Sequence, residues 1–321
     1  MTKLNYKFIL LLILIACASC FIYSCKEDST TGPKQTPTNT VQGYVKSSNG
    51  TVAIQGAKVS LIALPEDHPN PDSTYTDANG FYKFDTVSNG NKRLIFTKGS
   101  FSDTINITVP LYGNVPDARL EPSKLLAFYW GQFDNIQRII RQMGYNLDSL
   151  ELTHFNNLAT LQQYSIIFIN CGTSARDELN TSTISNNLTA FLNGGGRIYA
   201  SDWAFGCVKG IHPELNGTYD GDAVDSLLSN VVYAPLQSYL GKNTVRINYN
   251  LGTWLSLDPG NNYSLNIPFL RATYQGLTDN PIAFFRQDYT SNGKLIYTTF
   301  HEEAQTTSDM IKILQFFVFE L

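Results

Sequence analysis

Residues 164–173 read Tyr164-Ser165-Ile166-Ile167-Phe168-Ile169-Asn170-Cys171-Gly172-Thr173. Apolar side chains follow one another here without alternation, and a polar turn containing a glycine ends the run. This pattern is typical of a strand that is buried on both faces of a parallel sheet. Leu125–Trp130 and Arg197–Ala200 are similar runs. We therefore predict that at least three strands of one parallel sheet lie between residues 124 and 201.

Helical patterns lie between and after these strands. Asn135–Met143 and Ile184–Leu192 each place apolar residues on one face of a helix. The chain then closes with a strand pattern over Lys294–Phe300 and an apolar helix pattern over Ser308–Phe319. Alternating strands and helices predict a doubly wound, flavodoxin-like α/β domain over residues 124–321.

The preceding segment, residues 41–121, has a different pattern. Its short runs alternate between apolar and polar residues, and Asn-Gly turns separate them, which predicts a β-sandwich. The pattern resembles the carboxypeptidase regulatory-like domain in Gly43-x-Val45, in Ile54-x-Gly56-Ala57-x-Val59 and in Thr76-Asp77-Ala78-Asn79-Gly80-Phe81-Tyr82. The resemblance implies a prealbumin-like accessory module that has no chemistry of its own.

Three groups of polar residues follow the predicted parallel strands. They are Asn170–Thr173, Ser201-Asp202-Trp203 and His301-Glu302-Glu303. Because the carboxyl ends of parallel strands share one edge of a sheet, and ligands bind at that edge, we expect these groups to line a cleft. The candidate ligand-binding residues are Asn170, Cys171, Asp202 and Trp203.

The order of these segments resembles class I glutamine amidotransferases, in which a Phe-His-Pro-Glu segment supplies two members of a catalytic triad. Here Phe300-His301-Glu302-Glu303 matches that segment, so the resemblance implies that His301 and Glu303 occupy the triad positions. The turn that should carry the cysteine nucleophile instead reads Tyr199-Ala200-Ser201-Asp202-Trp203, with Trp203 where a small residue is expected.

Three functions remain open at this point. We favour a domain without catalytic activity that binds a small molecule, a glycan or an envelope protein in the cleft. The second is a hydrolase or amide-transfer enzyme that uses Ser201 or Cys171 as nucleophile, His301 as base and Glu303 to orient it. The third is a structural component of an envelope complex.

The N-terminus predicts export. Two lysines, an apolar run over Phe8–Tyr23 and a cysteine at position 25 have the layout of a secretory signal, and the cysteine resembles that of a bacterial lipoprotein. We favour lipid attachment at Cys25, with Cys20 and Cys17 as alternatives, because only cleavage before Cys25 leaves a fully polar tether over residues 26–40. The other interpretation is an uncleaved membrane anchor, although the run is shorter than most spanning helices.

Lys26-Glu27-Asp28 resembles the surface-export signal of Bacteroidetes lipoproteins. We therefore predict four segments: a signal peptide (1–25), a tether (26–40), a β-sandwich (41–121) and an α/β domain (124–321). The expected location is the outer membrane of a bacterial envelope, with exposure on the cell surface, and the N-terminal lipid is the contact with the membrane.

Charge excludes one class of partner. The chain has 23 basic and 27 acidic residues, a formal net charge of −4, and no basic stripe, so we predict no binding to nucleic acid. We also predict no cofactor and no metal, because Asp220, Asp222 and Asp225 do not have the spacing of a twelve-residue calcium loop.

Overall fold

The protein is described by a computed structural model over residues 38–64, 71–301 and 307–321. Cys17, Cys20, Cys25 and Glu303 lie outside the described residues, so the predictions for them stay predictions. Thr38–Leu321 belongs to a single structural unit. Whether 41–121 and 124–321 also fold separately stays a prediction. In the described part of the chain, no helix is long and apolar enough to cross a membrane.

The first sheet contains seven strands, in the order β3-β2-β5-β6-β7-β1-β4. The strand β1 runs parallel to β7, and the other neighbouring pairs are antiparallel. Every described element of this segment is a strand, which confirms its all-β character. The strands are β1 (Val41–Ser47), β2 (Lys58–Ala63), β3 (Asp72–Tyr75), β4 (Phe81–Phe84), β5 (Gly90–Lys98), β6 (Phe101–Val109) and β7 (Ala118–Pro122).

The second sheet contains nine strands, in the order β14-β13-β16-β17-β18-β11-β10-β8-β9. They are β8 (Leu125–Tyr129), β9 (Asp148–Leu150), β10 (Tyr164–Ile169), β11 (Arg197–Ser201), β13 (Val224–Val231), β14 (Thr244–Tyr249), β16 (Asn266–Tyr274), β17 (Leu277–Arg286) and β18 (Lys294–Thr298). A separate antiparallel pair is formed by β12 (Gly217–Gly221) and β15 (Trp254–Leu257).

This second sheet is mixed, which corrects the prediction of a parallel sheet. The five strands β18, β11, β10, β8 and β9 are parallel to one another, and β18 is antiparallel to its other neighbour, β17. From β17 to β14 the pairs are antiparallel. The antiparallel strands lie between β11 and β18 in the sequence, and two of them form the β16–β17 hairpin. The sequence of these antiparallel strands and of their turns does not indicate that they extend the sheet formed by the parallel strands.

Seven α-helices and three short 3₁₀ turns complete the described elements. The helices are α1 (Ile136–Gln142), α2 (Leu158–Leu161), α3 (Thr173–Asp177), α4 (Ser182–Asn193), α5 (Phe205–Ile211), α6 (Ala234–Leu240) and α7 (Ser308–Glu320). The 3₁₀ turns are Leu152–Asn156, Asp202–Ala204 and Thr290–Asn292. The helices predicted around residues 136–143, 184–192 and 308–319 are therefore confirmed.

The parallel strands bury both of their faces, because successive side chains of a strand point to opposite sides. On one side, alternate strand residues form a core with residues of α1, α6 and α7; they include Leu126, Phe128, Ile166, Phe168 and Tyr199. On the other side, a second core contains residues of α2 to α5; its strand residues include Ala127, Tyr129, Ile167, Ile169 and Ile198.

The first of these cores continues into the seven-stranded sheet. The Phe101 ring of β6 lies 5.2 Å from the Phe319 ring of α7 and 5.2 Å from the Tyr145 ring, measured between ring centroids. The Tyr145 hydroxyl donates a hydrogen bond of 2.8 Å to the carbonyl of Leu120. Burial raises the pKa of Tyr145, so its phenol remains a protonated donor. The helix α7 therefore joins the two sheets.

We expect Phe319→Ala to lower the free energy of unfolding by about 3–5 kcal/mol, the usual cost of removing a buried aromatic ring. The matched control is Leu228→Ala, whose side chain is 53% exposed, with an expected change within about 0.5 kcal/mol. Denaturant titration, monitored by tryptophan fluorescence, measures the free energy of unfolding of both variants. A loss below about 1 kcal/mol for Phe319→Ala would contradict the role of this contact.

Candidate functional site

The predicted groups converge where β10, β11 and β18 end. Because these strands are neighbours and parallel, Cys171, Asp202 and His301 emerge at one edge of the sheet. The side-chain atoms Sγ of Cys171, Oδ2 of Asp202 and Nε2 of His301 all lie within 4.8 Å of one another. The three strand-end segments predicted to line one cleft each contribute one of these residues, and the structure brings the three residues together.

Asp202 is the centre of the group. Its side chain is almost fully buried, and its Oδ1 accepts a 2.7 Å hydrogen bond from the backbone N–H of Leu255. Its Oδ2 lies 2.8 Å from Nε2 of His301 and accepts from the Cys171 thiol at 3.5 Å. The Tyr297 hydroxyl donates to its carbonyl at 2.9 Å. Four contacts thus fix the position of this residue.

The backbone of Asp202 is also unusual. Its φ angle is +42°, in the left-handed region that few residues other than glycine adopt. The residue directly follows β11 and begins the 3₁₀ turn that leads into α5. Strain of this kind recurs at functional sites, where the surrounding contacts maintain it.

This geometry corrects the expected turn by one position. The predicted turn had Ser201 at its centre and Trp203 where a small residue was expected. With Asp202 at the strained position, the small residues on either side are Ala200 and Ala204, two positions away in each direction. A register of one residue cannot be read from an apolar run, because the run does not mark where the strand ends.

Ser201 is fully buried and is held by hydrogen bonds away from the imidazole. Its hydroxyl donates to Oδ2 of Asp134 at 2.7 Å and accepts from the backbone N–H of Cys171 at 3.0 Å. Since a hydroxyl has one hydrogen to donate, that hydrogen points to Asp134 rather than to His301. The enzyme hypothesis expected Ser201 to transfer its proton to His301. The hydrogen bonds of Ser201 do not prepare it for that transfer.

The Cys171 thiol is buried beside a carboxylate. Burial is the main cause that raises its pKa, and the negative charge of Asp202 raises it further. The thiol is therefore protonated at neutral pH and donates to Asp202. Cys171 and Cys207 are both free cysteines, and they do not form the disulfide that export would permit.

Asn170, predicted to bind a ligand, instead connects two elements of the fold. Its Oδ1 accepts from the backbone N–H of Ile136 at 3.2 Å, and its Nδ2 donates to Gln137 at 2.9 Å. These bonds connect the end of β10 to the first turn of α1, and Asn170 is not among the cavity-lining residues. Sequence reasoning missed Asp134 and Gln137, although both follow the first parallel strand by only a few residues.

The aromatic rings of Trp203 and Phe133 lie beside the Cys171, Asp202 and His301 group and line the same cavity. The rings lie 5.2 Å apart edge to face, and Phe133 lies nearly parallel to the His301 imidazole at 6.4 Å. The Trp203 indole donates to the carbonyl of Thr253 at 2.8 Å, and the Arg176 guanidinium lies 4.5 Å from its ring. Trp203 therefore joins the strand end to the segment around Thr253.

These residues border a cavity of about 230 Å³. Its base contains Cys171, Asp202 and His301, and its wall is residues 248–254, which run from the end of β14 to the start of β15. That wall lies within the segment 233–269, for which the sequence alone predicts no role. The lining residues are Phe133, Cys171, Asp202, Trp203, Asn248, Tyr249, Asn250, Leu251, Gly252, Thr253, Trp254, Thr299, Phe300 and His301.

A second buried histidine lies outside this cavity. His212, from the string His212-Pro213-Glu214, contacts the Tyr289 hydroxyl and lies 3.4 Å from Glu214, which pairs with Arg286 at 2.6 Å. Burial, followed by the positive charge of Arg286, lowers the pKa of His212 to about 4. It is therefore neutral at physiological pH and part of a packing network.

Comparison with known proteins gives structural likenesses only. No protein-family model matches the chain, and no curated protein matches it. The similar solved structures include a protein described as ThuA-like from Bacteroides uniformis (TM-score 0.45, 14% identity, 61% of this chain and 90% of that one). They also include glutamine amidotransferases from Thermotoga maritima (0.42, 12%, 62% and 85%) and Methylobacillus flagellatus (0.41, 12%, 57% and 71%). With scores below 0.5, none of them supports an argument about activity.

We expect both described thiols to resist alkylation in the folded, EDTA-treated protein. Burial raises the pKa of each, that of Cys207 to about 12, so little thiolate forms even at roughly pH 8.5, the ordinary thiol pKa. Iodoacetamide treatment and peptide mapping should find both unmodified until the chain is unfolded. Rapid modification of Cys171 in the folded protein would contradict this.

The raised pKa values of these two thiols also make the free energy of unfolding depend on pH. The unfolded chain loses these thiol protons at lower pH than the folded chain, so the stabilisation is complete below the ordinary thiol pKa and is lost as the pH rises above it.

Proposed function

We propose that this chain is a lipid-anchored envelope protein that binds a small polar ligand in the cavity at the strand ends and does not transform it. One observation carries the proposal: the Asp202–His301 pair, with 2.8 Å between Oδ2 and Nε2, forms the base of a cavity that has aromatic walls. A polar base within apolar walls is the usual composition of a small-molecule site.

The walls favour a ligand that has both polar groups and a flat apolar face. The cavity-lining rings of Phe133 and Trp203 are only half-buried, so they can stack on a ligand, and Asn250 and Thr253 add exposed polar groups. A volume of about 230 Å³ lies below the roughly 300–1,000 Å³ of drug-sized sites. The ligand class that fits is a single-ring polar molecule, such as a monosaccharide.

The contacts of the two candidate nucleophiles favour binding over catalysis. The Ser201 hydroxyl donates to Asp134, and the buried Cys171 thiol is protonated. An enzyme needs its nucleophile to be activated by an adjacent base. The hydrolase hypothesis, with Ser201 or Cys171, His301 and Glu303, therefore receives no support from the geometry of these two side chains.

We further infer that residues 124–321 form an amidotransferase-like, doubly wound domain without the nucleophile cysteine, extended by antiparallel strands. Two helix-covered faces of the parallel strands support this inference. For residues 41–121, the motif around Thr76–Tyr82 supports a carboxypeptidase regulatory-like module. For the N-terminus, the polar tether over residues 26–40 supports lipid attachment at Cys25, and Lys26-Glu27-Asp28 supports outer-membrane location and surface exposure.

The cavity is tested by Trp203→Ala. A thermal-shift panel of monosaccharides, amino sugars and amino acids selects a ligand, and calorimetry then measures its affinity. We expect affinity to fall at least about 30-fold in this variant, as for a central contact residue worth roughly 2 kcal/mol.

The matched control is Trp130→Ala. Trp130 is 57% exposed, directly follows β8 and is not among the residues that line the cavity, so its variant should bind like the unmodified protein. Absence of any ligand in the panel, or equal losses in both variants, would count against the proposal.

The anchor is tested by Cys25→Ala in the native host. Loss of the lipid-bearing residue should move the protein from the membrane fraction to the soluble fraction or stop its processing, whereas Cys20→Ala should remain in the membrane fraction. Mass spectrometry of the mature N-terminus identifies the modified residue. Lipid on Cys17 or Cys20 would overturn the assignment.

A further inference from the structure

We propose that Cys171, Asp202 and His301 bind one divalent transition-metal ion, zinc in the first instance, at the base of the cavity. This inference deepens the proposed function, because it rests on the same cavity as the ligand site. The three side chains come from the ends of three neighbouring strands, β10, β11 and β18, and each offers a different donor atom: sulfur, oxygen and nitrogen.

Two of the three donor distances are close to those of tetrahedral coordination, and the third, between Sγ of Cys171 and Nε2 of His301, is within 4.8 Å. Zinc bonds of roughly 2.3 Å to sulfur and 2.0 Å to oxygen or nitrogen place a sulfur and an oxygen ligand about 3.5 Å apart, and a nitrogen and an oxygen ligand about 3.3 Å apart. The structure has 3.5 Å between Sγ of Cys171 and Oδ2 of Asp202, and 2.8 Å between that oxygen and Nε2 of His301. An ion that replaces the hydrogen between the last two atoms widens their separation by about half an ångström.

The donor set selects the class of metal. Calcium and magnesium prefer ligand sets made entirely of oxygen, so a thiol and an imidazole disfavour both. Zinc accepts sulfur, nitrogen and oxygen together, and sites with three protein ligands leave a fourth position for water or another ligand. Here that position faces the cavity of about 230 Å³. On binding, the thiol gives its proton to solvent and coordinates as a thiolate.

The surroundings hold these donors in place. Oδ1 of Asp202 accepts from the N–H of Leu255, so the carboxylate presents Oδ2 to the other two donors. The Tyr297 hydroxyl donates to the carbonyl of Asp202, and the Phe133 ring is nearly parallel to the His301 imidazole at 6.4 Å. Metal sites depend on such outer contacts to orient their ligands. The group is therefore arranged before an ion arrives.

The test uses the full chain with Cys17, Cys20 and Cys25 replaced by serine, so that they cannot bind metal. After EDTA treatment and dialysis, elemental analysis and competition with a chromophoric chelator measure zinc stoichiometry and affinity. Cobalt substitution reports sulfur coordination through its charge-transfer absorption. We expect one ion per chain and a sulfur-to-cobalt band.

Variants assign the ligands. Cys171→Ser should abolish the cobalt band, and His301→Gln should weaken zinc binding by more than the roughly 10–100-fold that loss of an outer contact costs. The matched control Cys207→Ala removes the other described buried thiol and should keep both the band and the affinity. If a variant does not fold, the stoichiometry and the band of the unmodified site still decide. Substoichiometric zinc, or a band that survives Cys171→Ser, overturns the proposal.

The same samples separate this inference from the proposed function. Repeating the ligand panel on EDTA-treated and zinc-loaded protein gives two distinct failures. Ligand binding by protein that takes up no zinc overturns the metal site and leaves the binding function. Stoichiometric zinc with no response to the panel overturns the small-molecule function and leaves the metal site.

Discussion

A buried carboxylate places the strongest constraint on this structure. Moving an ionised carboxylate out of water is costly unless hydrogen bonds or opposite charge surround it. Asp202 meets this requirement with groups from three separate segments: Cys171 after β10, Leu255 in β15, and His301 after β18. The parallel sheet, the added antiparallel pair and the cavity base must therefore all be formed before this one side chain is satisfied.

Much of the α/β part could be predicted from local pattern, because buried strands and amphipathic helices show themselves within a few residues. The convergence of Cys171, Asp202 and His301 was also predictable, since parallel strand ends meet at one edge. Two features were not. The pairing of β17 with β18 depends on a contact with a sheet already formed, and the shift of the strained position from Ser201 to Asp202 depends on where β11 ends.

The helix α7 has two roles because two of its faces are buried. Phe317 lies in the core beneath the mixed sheet, with its ring centroid 4.7 Å from that of Phe269. Phe319 contacts Phe101 of the first sheet. Lys98 and Lys294, from the two sheets, both form ion pairs with Glu320 of this helix. The spacing of apolar residues predicted the helix, but a single sequence could not show that it would be shared.

The cavity is built from two parts with separate origins in the chain. Its base belongs to parallel strands whose register is fixed by packing on both faces, whereas its wall, residues 248–254, belongs to the long segment inserted between β11 and β18. Within the wall, only residues 250–253 lie outside the strands, so substitutions there alter neither the paired strand residues nor the partners of Oδ2 of Asp202. A designer can therefore graft new recognition loops at residues 250–253 onto an unchanged chemical base, whereas exchange of the whole inserted segment would also remove Leu255 and its bond to Asp202.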